Sequence, residues 1–136
     1  MSDSVFVDTN ILVYSYSATE EAKRLVSRKI ISNNITVVST QVLQELSNVL
    51  HRKFGKSWQQ IQLVLTEIGE NNSVFTNNIA TINRACKMAE AYGYSFYDSL
   101  IIAAAMESGC NILYSEDMQD GHIIEERLTI TNPFKG

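Results

Sequence analysis

Proline occurs once, at Pro133, and no stretch is rich in glycine, serine or charge of one sign. Nothing marks a linker, an internal repeat or a low-complexity segment, so the reading is one domain over residues 1–136. Two cysteines, Cys86 and Cys110, are too few for a disulfide scaffold and have no histidine or cysteine at zinc spacing. A reducing, cytoplasmic setting is expected. The opening Met1-Ser2-Asp3-Ser4 lacks the basic start and long apolar segment of a secretory signal. No apolar run approaches the roughly 18 residues of a membrane-spanning helix, so no membrane partner is expected. A basic excess is missing too: 11 Lys and Arg face 15 Asp and Glu, a net charge of −4. That argues against a polyanion binder relying on phosphate neutralisation alone. The phosphate-cradling patterns GxGxxG and GxxxxGK followed by Ser or Thr are also absent.

What is present is a chain of 136 residues, 45% hydrophobic, long enough to bury a real core. Short β-branched or apolar runs, Val5-Phe6-Val7, Ile35 to Val38, Ser73 to Phe75, Asn111 to Tyr114 and Leu128 to Ile130, read as strands. Between them apolar residues recur at helical spacing, as in Val42, Leu43, Leu46, Val49 and Leu50, with Ser39 or Thr40 and Ser57 as caps. Tyr97 to Met106 is nearly all apolar and reads as a buried helix. Alternating strands and helices, with strands apolar on both faces, predict an α/β three-layer sandwich, a parallel sheet flanked by helices.

Ligands bind such sheets beyond the carboxyl ends of the strands. Asp8 directly follows the first strand; Glu116 and Asp117 follow the strand ending at Tyr114; Asp98 opens the buried helix; Glu45 lies about a turn into the helix after the second strand. Each has an ordinary reading, as a helix cap for Asp8 and Asp98, a solvated face for Glu45 and turn chemistry for Asp117. Their coincidence is harder to explain. Close carboxylates repel by about 4 kcal/mol per pair at an effective dielectric of about 20, so such a cluster calls for a positive partner. Two divalent cations held by four carboxylates would cancel the net charge of −4.

Val7-Asp8-Thr9-Asn10, Glu45 within Gln41-Val42-Leu43-Gln44-Glu45-Leu46, Tyr97-Asp98-Ser99-Leu100-Ile101 and Leu113-Tyr114-Ser115-Glu116-Asp117 together resemble the PIN domain family, in order and over nearly the whole chain. The resemblance implies a PIN-like α/β nuclease that cuts RNA with Mg²⁺ or Mn²⁺. At this length it is similar to a stand-alone VapC-type toxin of a type II toxin–antitoxin pair. It implies Asp8, Glu45, Asp98 and Asp117 as catalytic metal ligands for one or two ions, with Asn10 and Ser115 supporting them and Thr9 near the substrate. It also implies a cognate antitoxin and a homodimer. The chain departs from many relatives after Asp117, which leaves open whether Glu116 or Asp120 takes a supporting part around the ions.

Arg52, seven residues after Glu45, falls on the same helix face about 10.5 Å along, suited to a substrate phosphate. His51 and His122 read as a solvated position and a minor candidate ligand, which disfavours a metal-free acid–base ribonuclease. Tyr14, Tyr16, Tyr92, Tyr94 and Tyr97 read first as packing at half-buried edges, with base stacking as the functional alternative. Trp58 reads as a dimer or core contact. A phosphatase of the haloacid dehalogenase type would want aspartate where Asn10 stands. The alternative from a different class is a catalytically weak PIN fold acting as an RNA- or protein-interaction module.

Overall fold

The computed structural model describes residues 4–135. In chain order the elements are β1 Ser4–Val7, α1 Thr9–Ser15, α2 Glu21–Asn33, β2 Ile35–Ser39, α3 Thr40–Arg52, α4 Trp58–Asn71, β3 Ser73–Phe75, α5 Ile79–Tyr92, α6 Phe96–Glu107, β4 Ile112–Tyr114, β5 Ile123–Ile124 and β6 Leu128–Thr131. Small polar residues start the helices: Ser39 accepts from the Val42 N–H, Ser57 and Asn78 build capping boxes, and Ser95 accepts from the Asp98 N–H. Gly93, at φ 76°, ends α5 in the left-handed conformation that glycine adopts without strain.

The strands form one sheet in the order β3-β2-β1-β4-β6-β5. β1 is paired in parallel with β2 on one side (Val5 opposite Thr36) and β4 on the other (Phe6 opposite Leu113). The chain first steps outward from β1 to β2 and β3, then returns through α5 and α6 to β4. Right-handed crossovers place the helices of these two legs on opposite faces, giving the three layers. Both faces of the central strands are covered, and Val5, Phe6, Val7, Leu113 and Ile130 are buried. From Ser99 to Met106 every residue of α6 is buried, so this helix has no solvated stripe, as its apolar sequence predicts.

One edge departs from the fully parallel expectation. β5 runs antiparallel to β6, Ile124 opposite Leu128. Two residues are too few to show a period in sequence, and their turn lacks the Asn-Gly signal of a tight hairpin. Its two central residues, Glu125 and Glu126, sit at φ 50° and 57°. Trp58 lies outside the core, 56% exposed, stacked on His51 at 3.9 Å between ring centroids.

The topology decides where a site can form. From these neighbouring strands the chain goes on in opposite directions along the sheet, β1 toward β2 and β4 toward β5 and β6, which opens a crevice beyond their carboxyl ends. Asp8 and Ser115 are the residues that immediately follow these two strands.

Candidate active site

Asp8 is both cap and site. Its Oδ1 accepts from the Thr9 N–H at 2.7 Å at the start of α1, while Oδ2 accepts from the Ser115 hydroxyl at 2.8 Å. Only 6% of Asp8 is exposed. Burial pushes its carboxyl up from 3.8 to about 6; the Ser115 and Thr9 hydrogen bonds oppose the shift, and the charges of Glu45 and Asp98 add to it.

Glu45 arrives from α3, with Oε1 accepting from the Thr9 hydroxyl at 2.5 Å. Its other oxygen faces Gln41 Nε2 at 3.4 Å. Asp98 sits in the first turn of α6, half-buried. Its carboxyl is raised by desolvation, opposed by Ser95, and raised further by Asp117 and Glu45. Asp117 accepts from Asn10 Nδ2 at 3.0 Å, and its N–H donates to the Ser115 hydroxyl at 3.3 Å. Asn10 also accepts the Glu116 N–H at 3.3 Å, so one amide latches the loop after β4 onto α1.

The four sequence-predicted acids Asp8, Glu45, Asp98 and Asp117 therefore line one cleft of about 490 Å³, with Thr9, Asn10 and Glu116 beside them. Glu116 is already partnered: Lys23 Nζ donates to it at 2.5 Å and the Tyr14 hydroxyl at 2.6 Å. Burial pushes its carboxyl up, but these two donors outweigh burial and hold it below the usual range. Asp120 stands apart from the cleft, its Oδ1 accepting from the Asn132 N–H at 2.7 Å and tying the loop to the end of β6. His122 packs against Tyr92 and bonds Tyr94 at 2.8 Å, and does not line the cleft.

Arg52 ends the regular part of α3, as its spacing requires, but lines a smaller adjoining depression of about 230 Å³. The basic residue on the wall of the acidic cleft is its neighbour Lys53. Sequence reasoning missed Lys53, Gln41 and the pairing of Lys23 with Glu116. Gln41 had a signal, since it stands one helical turn before Glu45. Lys23 and Glu116 are 93 positions apart and had none.

The donors are all oxygen, with no sulfur or imidazole in the cleft wall. Among the described residues no three acids stand close enough to form a closed ligand cage. Carboxylates spaced around an open, solvated cleft suit a hard divalent ion that keeps several of its waters.

The PIN domain family model matches residues 5–119. The chain belongs to the PIN domain family. No curated protein matches this PIN domain significantly by sequence. Its fold is similar to that of VapC20 of Mycobacterium tuberculosis, a toxin that cleaves the sarcin–ricin loop, at TM-score 0.70 and 20% identity over 90% of this chain and 98% of the other. It is equally similar to a chain of a toxin–antitoxin complex from Klebsiella pneumoniae, at TM-score 0.70 and 19% identity over 96% of this chain and 98% of that one. VapBC2 of Rickettsia felis, bound to a DNA fragment of its promoter, contains a chain matching at TM-score 0.65 and 18% identity, covering 95% and 98%. At these identities the likeness is one of fold. Among the described residues no helix of the PIN domain is long and apolar enough to cross a membrane.

Proposed function

We propose that this PIN domain is a metal-dependent endoribonuclease and the toxin of a type II toxin–antitoxin pair. The observation that carries the reading is the convergence of Asp8, Glu45, Asp98 and Asp117 on one cleft at the point where the sheet's connections reverse. These four would hold one or two Mg²⁺ or Mn²⁺ ions. Such an ion, when bound, polarises a phosphoryl oxygen and acidifies a water for in-line attack on phosphorus.

The chain's own residues do the orienting. Ser115 and the Thr9 N–H hold both oxygens of Asp8, so its carboxylate enters the cleft in one orientation. The Thr9 hydroxyl does the same for Glu45 and the Asn10 amide for Asp117. Thr9 thereby supports a ligand at the edge of the substrate path. Lys53 offers a positive charge to a substrate phosphate on the α3 wall, with Arg52 one step further out. Lys23 offsets Glu116, which keeps a fifth carboxylate from adding to the repulsion.

The fold likeness to VapC20 supports RNA as the substrate, and the toxin–antitoxin complexes among the neighbours support a cognate antitoxin. The test is to incubate the purified protein with defined RNAs, with and without Mg²⁺ or Mn²⁺, and map the ends. Metal-dependent internal cuts that vanish in Asp8→Asn support the reading. RNA binding without any cuts, with metal present, would favour the interaction-module alternative.

A further inference from the structure

Gln41 lies one turn before Glu45 on α3 and is 5% exposed. Its amide nitrogen donates to the Tyr97 carbonyl at 3.1 Å and faces Glu45 Oε2 at 3.4 Å, at the long end of hydrogen bonding. One side chain therefore joins the acid of α3 to the first turn of α6, a single residue ahead of Asp98. The amide has only one workable orientation. Turning it over would set its oxygen against two acceptors and leave both N–H groups pointing away from them.

That orientation has a consequence on the other side of the amide. Gln41 Oε1 is buried and finds no hydrogen-bond donor among the described residues. An orphaned buried carbonyl is unfavourable to folding. Methionine, nearly the same length and wholly apolar, would fill the space without it. The orphaned carbonyl offsets what the bonds to Tyr97 and Glu45 contribute, so stability alone is a weak reason for glutamine at this position. Geometry does: with Thr9 on one Glu45 oxygen and Gln41 on the other, the carboxylate is held at both ends, and the Tyr97 bond ties that carboxylate to the helix that carries Asp98.

We infer that Gln41 is a positioning residue whose amide sets the separation of Glu45 and Asp98 for a bound divalent ion. This rests on the metal-dependent reading above. The role assigned to Gln41, which lines the cleft, is exerted through its contacts with Glu45 and with the first turn of α6. Removing a partner that orients a metal ligand weakens metal binding by about 10- to 100-fold.

The experiment titrates Mn²⁺ into metal-free wild type and Gln41→Met, following thermal unfolding and, over the same concentrations, RNA cleavage. Gln41→Met is expected to melt in EDTA no lower than wild type, yet to need at least about tenfold more Mn²⁺ for the same rise in Tm. Its cleavage should recover toward wild type as Mn²⁺ is raised, with KM for RNA unchanged. Gln41→Asn keeps the amide but is one methylene too short to span both acceptors. It should show the same shift, and it carries the test if the methionine variant does not fold. A Mn²⁺ midpoint equal to wild type, with a lower Tm in EDTA, would make Gln41 a packing residue and overturn the inference while leaving the nuclease reading intact. Wild type that neither cleaves RNA nor gains stability from Mn²⁺ overturns both.

Discussion

At the scale of single residues, Asp8 holds a helix start and a charged site with the same two oxygens. Its raised folded pKa has a definite sign in stability. The metal-free fold binds the proton more tightly than the unfolded chain, so protonation stabilises it. That contribution is complete below the unfolded value of 3.8 and is lost as pH rises through about 6. Moving the carboxyl from 3.8 to about 6 corresponds to about 3 kcal/mol, with little screening at so buried a group. In EDTA, wild type should therefore lose about 3 kcal/mol relative to Asp8→Asn between about pH 4 and pH 7, read from urea midpoints. Parallel stability curves would show that Asp8 is charged at no cost. With saturating Mn²⁺ at neutral pH the order should reverse, because wild type gains from metal binding and Asp8→Asn gains little. Asparagine still caps α1, so a lost cap would not explain lost cleavage.

At the scale of elements, α3 supplies most of one wall of the cleft. Ser39 starts it, Gln41 and Glu45 follow on one face, and it delivers Lys53 at the far end. Lys53→Ala should weaken RNA binding and lower the salt slope by about one, with Arg52→Ala changing both less. Binding titrations at several salt concentrations decide it, and a larger effect at Arg52 would move the substrate path outward. The β5–β6 hairpin presents a different kind of strain. Glu125 and Glu126 both take the left-handed conformation, which disfavours side chains, in a turn closed by the Arg127 N–H on the Ile124 carbonyl at 3.0 Å. Glu126→Gly should raise stability by about 1 kcal/mol in urea denaturation, without touching the acidic cleft. A destabilised variant would mean that the Glu126 side chain makes a contact worth more than its backbone strain.

For the molecule as a whole, cations entering the cleft would reconcile its acidity with the nucleic-acid cleavage proposed for it. The net charge of −4 equals what two divalent ions would cancel. EDTA should abolish cleavage, and Mn²⁺ should support at least as much activity as Mg²⁺, since it accepts oxygen ligands in similar geometry. Metal at about 100 times its Kd should add roughly 2.7 kcal/mol of stability, seen as a higher Tm. Full cleavage in EDTA would remove the metal from the mechanism.

Much of this architecture is written in local pattern. The β-branched runs, the caps Ser39 and Ser57 and the unbroken apolar stretch of α6 act over a few residues, so period and propensity reveal them. The parallel sheet follows from the alternation of these elements, and its switch point tells where Asp8 and Asp117 must meet. β5 escaped because two residues carry no period. Side-chain partnership also lay beyond local pattern. Whether Glu116 faces an ion or Lys23, whether Arg52 or Lys53 borders the acids, and which oxygen of Glu45 meets Thr9 or Gln41 depend on helix rotations of tens of degrees and on contacts between residues up to 107 positions apart. The sequence by itself determined the order of elements and the end of the sheet where the acids collect, because those rest on short-range periodicity and chain connectivity. Only the tertiary structure decided which acids are shared, paired or free, because hydrogen bonds depend on distances of a few tenths of an ångström that packing alone sets.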